Sequence, residues 1–90
     1  MGIEKSSHKV RATRQQIAGA REFLGLTQGD LARIAEVGRG TLVAFEKGTR
    51  PPHESTVEKL QHAIELRGIV FTNGDKPGFY FDKTKADIPT

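Results

Sequence analysis

Apolar residues recur at helical spacing along the first two thirds of the chain. Near its end they form two short runs of β-branched and aromatic residues instead. The helical spacing favours four helices, each bounded by residues that cap or break helices. The predicted helices span residues 14–24, 28–35, 41–47 and about 54–67. Gly48 ends the third helix, and the pair Pro51–Pro52 prevents its continuation into the fourth. The pattern therefore predicts a mainly helical domain.

Capping residues and a set of apolar positions on one face of each helix support the prediction of these helices. Thr13 and Thr27 precede the first and second helices, where a hydroxyl can accept a hydrogen bond from a free backbone N–H. Asp30 falls in the first turn of the second helix, where the helix dipole favours a negative charge. The predicted core positions are Ile17, Ala20, Leu24, Leu31, Ile34, Ala35, Val37, Leu42, Phe45, Val57, Leu60, Ala63 and Ile64.

A β-hairpin is predicted after the fourth helix. Residues 69–72 and 79–82 are rich in β-branched and aromatic side chains, and the segment NGDKPG between them has strong turn chemistry. A lone two-stranded sheet is only marginally stable, so its apolar side chains need a cover. Either they cover the helical core, or the strands pair with a second chain. We expect a homodimer through this hairpin.

Composition restricts the class of protein. The chain has 90 residues, 36% of them hydrophobic and 28% charged, as expected for one small domain. It has no cysteine, which excludes disulfides, thiolate chemistry and cysteine-containing zinc sites. Neither a secretory signal nor an apolar stretch of roughly 20 residues is present, so we expect a cytoplasmic protein without a membrane anchor.

Charge is distributed unevenly along the chain. Residues 1–50 carry nine Lys or Arg against five Asp or Glu, whereas residues 51–90 carry five against six. The first half is therefore the part suited to a polyanion. Residues 1–12 lack an apolar period and contain several basic side chains, so we predict a flexible basic arm there. Residues 83–90 are predicted to form a flexible tail.

The stretch EVGRGTLVAFEKG at residues 36–48 contains two glycines around an arginine. It does not fit a phosphate-binding loop, because the Lys-Ser/Thr pair and the preceding buried strand are both missing. It is also too short for a linker and is surrounded by apolar positions. A short capped helix, a turn and a second short helix are instead the geometry of a helix-turn-helix.

The segment LTQGDLARIAEVGRGTLVAFEKGTRPP resembles the helix-turn-helix of the lambda-repressor-like family, of the phage repressor and Cro type, and the resemblance covers residues 13–68. It implies an all-α, compact DNA-binding domain of four to five helices, here followed by a C-terminal hairpin at 69–82 as a possible dimerisation element. The matching residues are Arg21, Leu24, Leu26, Thr27, Gln28, Leu31, Ala32, Val37, Thr41, Leu42, Glu46, Gly48 and Pro51.

Two departures from the family pattern stand out. Glu36 occupies a left-handed position that usually carries glycine, which costs roughly 1 kcal/mol unless Gly38 reshapes the turn. Small or apolar residues also replace most of the polar side chains that face DNA on the third helix. Direct base reading should therefore depend on few side chains.

The resemblance implies a DNA-binding surface around the third helix. Arg39 would read a guanine edge, and Gln28 would brace the recognition helix and touch a phosphate. Lys47, Thr49 and Arg50 would bind the DNA backbone. The close-approach positions would be Gly38, Gly40, Thr41, Val43 and Ala44. Arg21 and Glu46 would form a structural ion pair between the first and third helices.

The expected function is sequence-specific binding of double-stranded DNA by a transcriptional regulator, with repression favoured over activation. The alternatives are the DNA-binding antitoxin of a toxin pair and a protein-interaction module that kept the fold without base reading. His62 has metal-binding spacing to Glu58 and Glu65, but a solvated helix face explains it better. We predict no catalytic site, no metal and no cofactor.

Overall fold

Four α-helices followed by an antiparallel hairpin make up the part of the chain described by the computed structural model, residues 11–87. The predicted arm up to residue 10 and the tail beyond residue 87 lie outside these residues. No helix within residues 11–87 is long and apolar enough to cross a membrane. The elements are α1 (Arg14–Phe23), α2 (Gln28–Ala35), α3 (Arg39–Lys47), α4 (Glu54–Glu65), β1 (Ile69–Thr72), β2 (Gly78–Phe81) and a 3-10 turn (Lys83–Lys85).

Both threonines predicted as caps begin helices through reciprocal capping boxes. The Thr13 hydroxyl accepts from the Gln16 backbone N–H at 3.1 Å, and the Gln16 side-chain oxygen Oε1 accepts from the Thr13 N–H at 2.8 Å. The same exchange joins Thr27 and Asp30 at 2.9 and 3.0 Å. Each box satisfies two backbone donors that a helix start would otherwise leave unpaired.

The third and fourth helices differ from their predicted bounds. α3 begins at Arg39 rather than at the predicted Thr41, with Gly38 as an extended N-cap. The prediction was wrong because Gly40 lies in the first turn, where its N–H has no partner inside the helix, so glycine is less costly there than in a helix interior. α4 ends at Glu65, two residues before the predicted end at Arg67.

One side chain from each helix lies at the centre of the core. Ile17, Leu31, Leu42 and Leu60 are fully buried, and each such side chain contributes about 1.5–3 kcal/mol by leaving water. Ile34, Leu24 and Val37 were predicted core positions but are only partly buried at its margin. The full buried set is Ala12, Ile17, Ala20, Leu31, Ala32, Ala35, Leu42, Phe45, Val57, Leu60, Ala63, Ile64, Ile69 and Phe71.

The hairpin lies against α1 and α4 with one face inward. Its strands pair Ile69 with Phe81 and Phe71 with Phe79. Ile69 and Phe71 are buried in the core, so the hairpin does cover part of the helical domain. Phe79 packs on Gly19 of α1, where an added Cβ would lie 3.2 Å from the ring. A side chain at this position would require the Phe79 ring to shift by a few tenths of an ångström.

Both segments predicted as flexible ends make contacts where they are described. Ala12, from the predicted arm, is buried, and its N–H donates to Gln61 Oε1 at 2.8 Å. Beyond β2, the Lys83–Lys85 turn follows, and the Asp87 N–H donates to the Leu66 carbonyl at 2.8 Å. These hydrogen bonds fasten residues 12 and 87 to α4 and to the turn after it.

Candidate nucleic-acid interface

The turn between α2 and α3 is tight and depends on one left-handed residue. Glu36 ends α2 with φ 61 and ψ 45, and the Val37 N–H then donates to the Ala32 carbonyl at 3.0 Å. Gly38 has an ordinary φ of −67, so it does not relieve the strain at Glu36. The turn thus directs the start of α3 outward without using the conformational freedom of its glycine.

A buried polar network fixes α3 to the two helices before it. Arg21 of α1 donates to both carboxylate oxygens of Glu46, at 2.8 and 3.1 Å, and to the Leu26 carbonyl at 2.9 Å. Gln28 of α2 donates to the same carboxylate at 2.9 Å. The side chains of Arg21 and Glu46 are only 10% and 7% exposed. The expected ion pair between α1 and α3 is therefore present, and Gln28 connects α2 to it.

Hydrogen bonding in this network raises the pKa of the Arg21 guanidinium above its ordinary value, chiefly through Glu46. The arginine is accordingly a permanent cation. A bidentate pair of this kind fixes both planar groups in one orientation. The orientation of α3 relative to α1 and α2 follows from it.

The front of α3 is exposed to solvent and nearly bare of long side chains. Arg39 and Thr41 are exposed, as are the glycines on either side of Arg39. Val43 and Ala44 are only partly exposed, because the neighbouring Leu42 and Phe45 are buried in the core. Gly38 offers no capping side chain, so the first N–H groups of α3 have no side-chain acceptor.

Arg39 extends from this front across the start of α2. A Cβ added to Gly29 would lie 3.7 Å from Arg39 Nε and 3.9 Å from its Cδ. The arginine side chain thus passes over a position with no side chain of its own. Gly29 was not among the predicted site residues, and no sequence spacing indicates this contact.

The far end of α3 carries a second group of polar residues. Lys47, Thr49 and Arg50 are exposed, and the Thr49 N–H donates to the Ala44 carbonyl at 3.2 Å. Arg14 donates to the Glu46 carbonyl at 3.2 Å, where a cation complements the helix dipole. It also lies so close to left-handed Gly48 that an added Cβ would be 2.7 Å from its Nε.

An open groove of about 500 Å³ runs between the exposed side of α3 and the loop that leads to α4. The residues that line it are Gly40, Thr41, Ala44, Phe45, Arg50, Pro51, Pro52 and His53. Thr41 and Arg50, predicted from opposite ends of the motif, therefore share one concave surface. Arg33 lies apart on α2, in an exposed ion pair with Asp30 at 3.3 Å.

A capped second helix, a tight turn and an outward-pointing third helix with basic residues at both ends define a DNA-binding domain of the helix-turn-helix class. Residues 17–68 match the helix-turn-helix family of the Cro/C1 type, and the chain belongs to that family. None of the curated proteins matches the chain. The family consists of DNA-binding regulators, so double-stranded DNA is the partner that the match supports.

Proposed function

We propose that the protein is a sequence-specific transcriptional repressor that inserts α3 into the major groove of DNA. The observation that carries the proposal is the position of Arg39, a long cationic side chain between two exposed glycines at the outward end of α3. In helix-turn-helix proteins the N-terminal residues of this helix contact base edges. Repression requires only that the bound protein occupy a promoter.

Arg39 is the main base reader in this proposal. A guanidinium can donate two hydrogen bonds to guanine O6 and N7, which no other base offers in the same geometry. Its passage over Gly29 limits the directions that the side chain can take before DNA arrives. Fewer rotamers then have to be lost on binding, which favours affinity.

The bare glycines on either side of Arg39 contribute by allowing close approach. Without side chains at Gly38 and Gly40, the first turn of α3 can come nearer to the floor of the groove. Thr41 follows on the same exposed front and offers a methyl group to a thymine methyl. Val43 and Ala44, partly exposed, extend this apolar contact along α3.

Residues at the two edges of the motif would contact the phosphate backbone. Lys47, Thr49 and Arg50 are exposed, and Arg50 also lines the groove beside α3. The Gln28 amide has two hydrogens and uses one on Glu46, which leaves the other for a phosphate. Such contacts fix the register of the protein on DNA but carry no sequence information.

The test is selection of bound duplexes from a random pool, followed by band shifts on the selected site and on scrambled DNA. Arg39→Ala should reduce the preference for the selected site by about 5- to 150-fold, which corresponds to about 1–3 kcal/mol of discrimination. Arg33→Ala is the matched control, because Arg33 is an exposed arginine paired on α2. It should leave the preference unchanged.

Two results would reject the proposal. The first is a selection that yields no preferred sequence, which would favour the protein-interaction module. The second is a preferred sequence that Arg39→Ala and Arg33→Ala recognise equally well, which would place base reading elsewhere. Reporter expression from a promoter that contains the selected site then distinguishes repression from activation. Co-purification of a toxin would favour the antitoxin alternative.

A further inference from the structure

An exposed aromatic cluster lies on the hairpin side of the molecule, where α1 ends beside β2. Phe23, at the end of α1, is 58% exposed, and Phe81 of β2 is 39% exposed. The Phe23 ring lies 5.9 Å from the rings of both Phe79 and Phe81, measured between centroids. We call Phe23, Phe79 and Phe81 the aromatic ledge. Most of the Phe23 ring has no cover among the described residues.

The aromatic ledge lies beside a free sheet edge. The Asp82 N–H donates to the Gly68 carbonyl at 2.7 Å, so residues 68 and 82 form a hydrogen-bonded pair just beyond the strands. Pairs alternate along an antiparallel ladder, so the backbone groups of Phe79 and Phe81 point away from β1. The described sheet has only two strands, and these groups lie on its open side.

We propose that a second copy of this chain pairs its β2 antiparallel with this edge. The product is a four-stranded sheet of order β1–β2–β2–β1 around a two-fold axis. The proposal rests on the proposed function in one respect: the dimer would hold two DNA-binding domains together. A two-fold dimer would bind two half-sites about one helical turn apart.

The register is defined by the residue of β2 that lies on the two-fold axis. Only one register lets both Phe79 and Phe81 form backbone hydrogen bonds with the partner's β2. With Phe79 on the axis, Phe81 would face the partner's Pro77, which has no N–H to donate. With Phe81 on the axis, Phe79 would face the partner's Lys83, which begins the 3-10 turn and is no longer extended. With Tyr80 on the axis, Phe79 and the partner's Phe81 exchange both hydrogen bonds.

This register also suits the side chains. Phe79 and the partner's Phe81 would lie side by side on the inner face and cover Phe23. On the outer face Tyr80, which is 52% exposed, would meet the partner's Tyr80. Asp82 would face Gly78 and Lys83 would face Pro77, so no like charges would be opposed. A second copy thus covers the apolar surface without an electrostatic penalty.

The interface is small. The exposed parts of Phe23, Tyr80 and Phe81 from two chains amount to roughly 600 Å², which is below the roughly 1,000 Å² that a stable interface buries. We therefore expect a weak dimer that forms at high concentration and that DNA strengthens, because binding of one head raises the effective concentration of the other.

Cysteine cross-linking tests the register directly, since the chain has no cysteine of its own. In a non-hydrogen-bonded pair the Cα atoms are about 4.5 Å apart, within disulfide range. Tyr80→Cys should therefore give a covalent dimer under mild oxidation. Val70→Cys is the matched control: Val70 pairs with Tyr80 within the hairpin, on the same face but one strand further from the axis. It should stay a single chain.

Charge substitution provides a second test without oxidation. Tyr80→Lys and Tyr80→Glu each place like charges on the axis, so each variant should sediment as a monomer at concentrations where the unaltered chain is dimeric. An equal mixture of the two should regain the dimer mass, because opposite charges then meet. Circular dichroism confirms that both variants fold, which is expected because Tyr80 is exposed.

DNA binding separates this proposal from the proposed function. Tyr80→Lys should lose cooperative binding to a palindrome but keep the selectivity of the unaltered chain for a single half-site. The pairing is overturned if the chain sediments as a monomer even with palindromic DNA, or if Tyr80→Cys and Val70→Cys cross-link equally. Selectivity for the half-site stands in either case, because it depends on the surface around α3 and not on the hairpin.

Discussion

At the scale of single residues, Glu36 holds a left-handed backbone conformation that is costly for a residue with a side chain. It is the one non-glycine residue with positive φ among residues 11–87. Glu36→Gly should raise the free energy of unfolding by about 0.5–1 kcal/mol, because the gain from relieved strain exceeds the entropy that glycine adds to the unfolded chain. Urea denaturation measures the change. Glu36→Gln removes the charge but keeps the strain, and it should not stabilise the protein.

Asp30 should make the free energy of unfolding depend on pH. Its pKa lies below the ordinary value of 3.8, chiefly because the carboxylate accepts from the Thr27 backbone N–H. A lowered folded pKa contributes stability above the unfolded pKa and loses it as pH falls through the folded value. Asp30→Asn should therefore destabilise the protein at neutral pH, and this difference should shrink below about pH 4. Urea midpoints from pH 7 to 3 measure it; a difference that is constant with pH would contradict the prediction.

Single residues also show how far the sequence predicts the site. Thr13 and Thr27 were predictable as caps, since a hydroxyl before an apolar helical period has a local physical reason. The contact of Arg39 with Gly29 was not predictable, because it depends on the angle between two helices. The placement of Arg14 over Gly48 depends in the same way on residues 34 positions apart.

At the scale of elements, the Arg21–Glu46 pair joins α1 to α3. Arg21→Met alone should cost about 3–5 kcal/mol, because it leaves the buried Glu46 carboxylate without its counter-charge. Glu46→Leu alone should cost a similar amount. The double variant should be much less destabilised than the sum of the two, since apolar groups then fill the site. Chemical unfolding of the four proteins completes the cycle.

Gln28→Ala serves as the control for this cycle, because it removes one neutral donor from the same carboxylate. It should cost about 1 kcal/mol, the usual net worth of a hydrogen bond. Additive effects of Arg21→Met and Glu46→Leu would show that the two groups do not stabilise each other.

The elements themselves were largely visible in the sequence. Spacing of apolar residues predicted the four helices, because burial of one face is what makes a short helix stable. The hairpin was predicted from two β-branched or aromatic runs around a segment with strong turn chemistry. The start of α3 was missed, since the cost of glycine depends on its place in the helix and not only on its type. The packing of the hairpin on α1 could not be predicted either, because it requires the helix–sheet approach that Gly19 allows.

At the scale of the whole molecule, the net charge of +3 is concentrated in the half that carries the helix-turn-helix. Binding to DNA should weaken steeply with salt, because each phosphate contact releases counterions. Arg50→Ala should lower the slope of log affinity against log salt by about 1 and leave the preferred sequence unchanged. Fluorescence anisotropy at several salt concentrations measures the slope. Lys85→Ala, on the 3-10 turn after the hairpin, should leave the slope unaltered.

Gln16 connects two distant parts of the molecule through one amide group. Its oxygen takes part in the Thr13 capping box, and its nitrogen donates to the Thr72 and Gly78 carbonyls at 2.7 Å each. The hairpin is therefore not an independent unit that could be moved to another helix-turn-helix domain or deleted from this one. Such a transfer would lose the two hydrogen bonds from Gln16 that hold the open end of the turn, at Thr72 and Gly78, against the first helix. The recipient domain would have to supply a glutamine at the equivalent position.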